Sequence, residues 1–152
     1  MERAPLESQL FGSLFVLGSH LSRYADDALA RYGVTSRQWL LLAVLVQAFP
    51  DRSPTLTQAA AVYGTSRQNV KQIAGQLAAR GLVTLEPDST DRRATRLAVT
   101  PLVAELFDAP AAVAHQRDAI ARVFAGFGDG ELSTLLAAVE RCLANLDTRG
   151  DA

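Results

Sequence analysis

Residues 66–76 read SRQNVKQIAGQ, a run of amides and cations that contains no carboxylate. Val70, Ile73, Ala74 and Leu77 fall at i, i+3, i+4 and i+7, so one side of a helix here is apolar. The opposite side shows Arg67, Gln68, Lys71, Gln72 and Gln76, with Ser66 and Asn69 at its start. Glutamine and asparagine pair with adenine through two bonds, arginine and lysine pair with guanine, and a carboxylate would repel phosphates. A major groove about 12 Å wide accepts one such face. A second group lies in residues 86–100, EPDSTDRRATRLAVT. Its turn carries Arg92 and Arg93, with Asp88 and Asp91 placed to brace it. Arginines on such a tip suit a narrow groove of high negative potential. Both groups have the chemistry of reading double-stranded DNA, not of making or breaking bonds.

Charge is distributed to match. The chain of 152 residues has a formal net charge of -1. Residues 51–96 hold seven basic and four acidic side chains, and the remainder holds eight and twelve. The middle is therefore +3 and the flanks together -4. A local positive field between acidic flanks fits a nucleic-acid reader better than the net charge does.

The elements that must hold these residues follow from periodicity and capping. Leu10, Leu14, Leu17 and Leu21, flanked by Phe11, Phe15 and Tyr24, predict a first helix with a broad apolar stripe that stops near Gly33. Thr35 or Ser36 caps a second helix containing Trp39, Leu40, Ala43, Leu45 and Val46. Thr55 and Gln58 form a capping box for a short third helix, which buries Ala59, Val62 and Tyr63 and ends at Gly64. Ser66 caps the fourth, amide-rich helix, and Gly81 follows its end. Alternation at Val83 to Glu86 and at Arg96 to Val99 predicts a hairpin around the arginine tip. Thr100 caps and Pro101 opens a long helical region to about Ala125, which Pro110 should kink or split. Asp129 caps a last helix with Leu132, Leu135, Leu136, Val139, Leu143 and Leu146 on one face. The expected fold is mainly α with a small β-hairpin wing: a winged helix-turn-helix over 34–100, and a helical dimerisation region made of 1–33 and 101–148.

Residues 54–100 resemble the MarR family of winged-helix transcription regulators. The resemblance rests on Thr55 opening the short helix, Gly64-Thr65-Ser66-Arg67 at the turn, Leu77 followed by Arg80-Gly81-Leu82-Val83, and Asp91-Arg92-Arg93 with Thr100. It implies that Arg93 enters a minor groove, that Asp91 braces the wing, and that Arg67, Gln68, Asn69, Lys71 and Gln72 face the major groove. It also implies a homodimer whose first helix and last two helices interlock, and a cleft that binds a small effector. Candidate residues for an aromatic or anionic effector are His20, Arg23, Tyr24 and Trp39, although packing or a solvated surface is the plainer reading of each. A dimer follows from the apolar stripes as well, because a lone winged helix cannot cover them. Two reader helices would then address half-sites about 34 Å apart on a pseudo-palindrome. The expected role is a repressor that an effector releases.

Other classes find less support. The sequence has no Gly-x-Ser-x-Gly, phosphate loop or His-Glu-x-x-His, so no enzyme and no cofactor is expected. Two histidines and one cysteine show no metal-ligand spacing. No stretch is apolar enough to span a membrane and no signal peptide is evident, so the expected location is the cytoplasm. Cys142 offers an alternative reading as a redox sensor, but a buried, inert thiol is the expectation. A winged helix used only for protein contacts is the other alternative; it would not require an acid-free basic face.

Overall fold

A computed structural model describes residues 2–147. The expected outer limits of the dimerisation region, Met1 and Thr148, lie outside that range. The protein is mainly helical with one two-stranded antiparallel hairpin. The described residues fall into two compact units, which divide after Ala112.

The first unit begins with α1 (Arg3–Leu29), which runs through a single 3-10 turn into Gly33. Next come α2 (Ser36–Ala48), α3 (Leu56–Tyr63) and α4 (Arg67–Ala79). The hairpin strands β1 (Val83–Pro87) and β2 (Thr95–Val99) pair in register from Val83–Val99 to Pro87–Thr95. Then α5 (Pro101–Phe107) closes the unit, α6 (Pro110–Val123) crosses into the second unit, and α7 (Asp129–Asp147) ends the described chain.

Side chains within four residues set most helix starts. Thr35, not Ser36, is the cap of α2: its hydroxyl accepts from the Gln38 N–H while the Gln38 side chain accepts from the Thr35 N–H. Thr55 and Gln58 repeat that box at α3. Ser66 Oγ accepts from the Asn69 N–H at 3.1 Å to start α4. Between α3 and α4, Gly64 takes φ of 86° and donates its N–H to the Ala60 carbonyl. A side chain at that φ is disfavoured, so the sharp turn uses glycine.

Apolar spacing does the rest. Val70, Ile73, Ala74 and Leu77 seat α4 on a core that includes Leu41, Leu56, Leu82 and Leu97. β2 is stitched to the loop before α3: the Leu97 N–H donates to the Pro54 carbonyl at 2.8 Å, and Thr55 forms a bridge with Arg96. The wing therefore has a fixed root on the helix-turn-helix.

Several local expectations are corrected. Val62, expected to be buried, is 53% exposed; α3 buries Ala59 as expected, together with Leu56 and Ala60. Thr100 occupies the cap position of α5 without capping it; its hydroxyl donates to the Gly81 carbonyl at 2.6 Å. Asp129 is the first residue of α7, and the Glu131 carboxylate accepts the Gly128 N–H at 2.8 Å. The long helical region is split at Pro110, as expected, and Pro110 starts α6 because a proline lacks the N–H and clashes inside a helix.

Helices α1 and α7 stay largely uncovered. α1 buries only Leu29 and α7 buries no residue. Phe11 and Phe15 are 67% and 68% exposed, and Leu136 and Leu146 are 59% and 67% exposed. Cys142, expected to be buried, is exposed in the single chain because the apolar face of α7 has no cover there. Among the described residues no helix is long and apolar enough to cross a membrane.

Candidate nucleic-acid interface

The helix-turn-helix divides α4 into two faces. One is buried through Val70, Ile73, Ala74 and Leu77. The other leaves Arg67, Gln68, Lys71, Gln72 and Gln76 exposed, so five amide or cationic side chains share one surface. Gly75 is also exposed, with nothing within 4 Å of where its Cβ would stand, which keeps the centre of that face low. Ser66 and Asn69 lie at its start and carry out local work. Ser66 is the cap, and Asn69 is half-buried with its amide bonded to Thr65 and Arg37.

Contacts from α2 border this face. Arg37 Nη2 donates to Asn69 Oδ1 at 2.7 Å, and Gln38 Nε2 donates to Gln76 Oε1 at 3.1 Å. Tyr63 at the end of α3 donates its hydroxyl to the Arg37 carbonyl at 3.2 Å. The C-terminal end of α4 is tied back by Arg80, whose guanidinium donates to the carbonyls of Tyr32 and Gly33. A Cβ at Gly33 would stand 2.8 Å from that guanidinium, so glycine there keeps the clasp closed as well as supplying φ of 70°.

The wing tip is organised around Asp88. Asp88 Oδ2 accepts from the Thr90 N–H and hydroxyl and from the Asp91 N–H, at 3.2, 2.8 and 2.9 Å. Its other oxygen meets Arg96 Nε in an ion pair, and Arg96 Nη1 continues to the Ser53 carbonyl at 2.7 Å. Asp91 Oδ1 accepts from the Arg93 N–H at 3.0 Å, and the Asp91 carbonyl accepts from the Ala94 N–H. These bonds leave the side chains of Arg92 and Arg93 exposed at the end of the hairpin. The sequence alone marks Arg96 only as a strand residue. Its contact with Ser53 spans 43 positions, so no local pattern carries it.

The Asp88 side chain is 9% exposed, and its carboxyl is held far below the usual carboxylate range. The Arg96 guanidinium is the main cause, followed by the N–H of Asp91 and the Thr90 hydroxyl. A carboxyl depressed in the folded state stabilises it fully above its unfolded pKa of about 3.9, and the contribution fades as pH falls towards the depressed value. NMR titration of the Asp88 carboxyl carbon should therefore show no midpoint near 3.9. A midpoint at that value would mean that the tip is not built on this ion pair.

Trp39 is partly buried and packs against the core. His20, Arg23 and Tyr24 lie on exposed turns of α1, where His20 borders a shallow groove with Gly12, Val16 and Leu17. Among the described residues no cluster of three or more metal-ligating side chains exists.

Comparison with known proteins agrees with this geometry. The sequence model of the MarR family matches residues 32–94, from the end of the 3-10 turn through the wing tip. An uncharacterized protein of Mycobacterium tuberculosis is 33% identical over 93 residues, covering 61% of this chain; the chain spans 62% of that relative's length. The structure of a MarR protein from Peptoclostridium difficile superposes with a TM-score of 0.80 at 16% identity, covering 98% of this chain and 94% of the other. The M. tuberculosis transcriptional regulator MosR, solved in complex with DNA, gives a TM-score of 0.68 at 25% identity over 91% of this chain and 93% of its own. Residues 32–94, which hold α4 and both wing arginines, are thus similar to the MarR family, and the fold of the chain matches a winged helix.

Proposed function

We propose that the protein is a homodimer that reads a pseudo-palindromic operator in duplex DNA, with one α4 in each of two major-groove half-sites and a wing in the groove beside each. The observation that carries this reading is the acid-free outer face of α4, where Arg67, Gln68, Lys71, Gln72 and Gln76 are all exposed. Backbone phosphates favour such a face, and its amides and cations match base edges. A winged helix used only for protein contacts would need neither this face nor two exposed arginines on the wing.

In this reading residues 34–100 are the reader, and the helical regions 1–33 and 101–148 form the two-fold contact. Its support is the uncovered apolar surface of α1 and α7, which a second copy would remove from water. A dimer laid across two turns of a promoter blocks access to it, so repression is the outcome we assign. Release by a small aromatic or anionic effector is assigned to the α1 stretch that carries His20, Arg23 and Tyr24.

Selection of bound sites from random duplex DNA tests the reading as a whole. Sites with two-fold symmetry and half-sites about one helical turn apart are expected. Recovery of random sequence, or of asymmetric single sites, would overturn it. The wing assignment has its own test. Arg93→Ala should weaken operator binding by more than about 1 kcal/mol while leaving the thermal midpoint unchanged. Unchanged affinity would remove Arg93 from the interface.

A further inference from the structure

Asn69 stands on the first turn of α4, and both ends of its amide are held by protein groups. Its Oδ1 accepts from Arg37 Nη2 at 2.7 Å, and its Nδ2 donates to Thr65 Oγ1 at 2.9 Å. Pairing with adenine uses both the oxygen and the nitrogen of an asparagine amide. Both already have protein partners here, and the side chain is half-buried.

The contact has a second effect, on Arg37. This arginine is the second residue of α2, exposed, and far from the reader helix in sequence. The bond to Asn69 holds its guanidinium against the start of α4, next in sequence to Gln68 and Lys71 on either side of Asn69-Val70. The backbone beneath Arg37 is fixed too. Its carbonyl accepts from the Tyr63 hydroxyl, and its neighbour Gln38 is held by the Thr35 capping box and by Gln76. A guanidinium has five N–H donors, and this contact uses one. Among the described residues Arg37 takes part in no ion pair. Its partner is a neutral amide, which orients the charge without cancelling it. A fixed, uncancelled guanidinium beside a face suited to DNA is the arrangement that takes a phosphate.

We propose that Arg37 is a further DNA-contacting residue, a clamp from α2 on a backbone phosphate beside the bases under α4, and that Asn69 is the positioning residue that holds it there. This rests on the DNA-reading function proposed above. It adds α2 to the interface and moves Asn69 from reading bases to holding an arginine.

The test compares wild type, Arg37→Ala, Arg37→Gln, Asn69→Ala and the double variant Arg37→Ala/Asn69→Ala. Each is titrated on a selected operator duplex and on a scrambled duplex of equal length, across a range of salt. Arg37→Ala should lower affinity about 5- to 10-fold on both duplexes, and each arginine lost should flatten the slope of log affinity against log salt by about 0.9. Arg37→Gln, which can still bond Asn69 but carries no charge, should show the same flattening. Asn69→Ala should cause a smaller loss, equal on both duplexes, and the double variant should be no weaker than Arg37→Ala alone. Either of two results overturns the assignment: an unchanged salt slope in both Arg37 variants, or an Asn69→Ala loss confined to the operator duplex. If wild type itself binds neither duplex, the DNA-reading function fails and this assignment fails with it. Wild-type binding with unaffected Arg37 variants refutes the assignment alone.

Discussion

Leu14→Glu is expected to turn the proposed dimer into a monomer and to lower operator affinity by about 100-fold or more. Leu14 lies at the middle of the α1 stripe, 51% exposed in the single chain, with Leu10, Phe11, Phe15 and Leu17 around it. A carboxylate placed in an apolar contact must be desolvated or must open the contact, and opening is the cheaper outcome. Each reader helix alone would then bind one half-site. Joining two modules raises overall affinity by about 10²- to 10⁴-fold through effective concentration, and a monomer forfeits that gain. Light scattering should give the mass of one chain, and a half-site duplex should bind about as well as the full operator. A variant that stays dimeric with unchanged operator affinity would place the two-fold contact away from α1.

Leu77→Ala should have the largest effect on the fold of the reader itself. Leu77 is 0% exposed and belongs to the buried face that seats α4, together with Val70, Ile73 and Ala74. Its carbonyl also accepts the N–H groups of Arg80 and Leu82, where the chain leaves α4 for the wing. Truncating a fully buried leucine to alanine costs about 2–5 kcal/mol, through lost transfer energy and the cavity left behind. That is a large share of the roughly 5–15 kcal/mol typical of a domain. Denaturant unfolding should show the loss as a shifted midpoint with little change in slope. A loss under about 1 kcal/mol would mean that this face does not anchor the reader helix.

The parts of the fold that could be read in the sequence are those set by contacts within one turn or one hairpin. The caps at Thr55 and Ser66 involve side chains and amides three residues apart, so the residue types announce them. The burial of Val70, Ile73, Ala74 and Leu77 follows from helical spacing alone. The wing could be read because strand alternation brackets a turn built of aspartates and arginines. What stayed hidden depends on residues distant in sequence. Arg37 meets Asn69 across 32 positions, Arg96 meets Ser53 across 43, and Arg80 meets Gly33 across 47. Each uses a long, flexible cation whose partner is chosen by packing, not by local pattern. Val62 was misplaced for a related reason. A helix of eight residues offers too few turns to define its buried side, and the neighbouring helices chose Leu56, Ala59 and Ala60. The same limit applied to Asn69, whose position on α4 could be read while its bond to Arg37 could not.

The central claim, that the exposed faces of α4 and the wing bind duplex DNA, is tested most directly by titrating the wild-type protein with a duplex carrying its selected site at several salt concentrations. Each phosphate neutralised contributes a slope of about -0.9 in log affinity against log salt. With Arg67, Lys71, Arg92 and Arg93 exposed, a steep fall corresponding to several phosphates is predicted. A slope near zero would contradict the account.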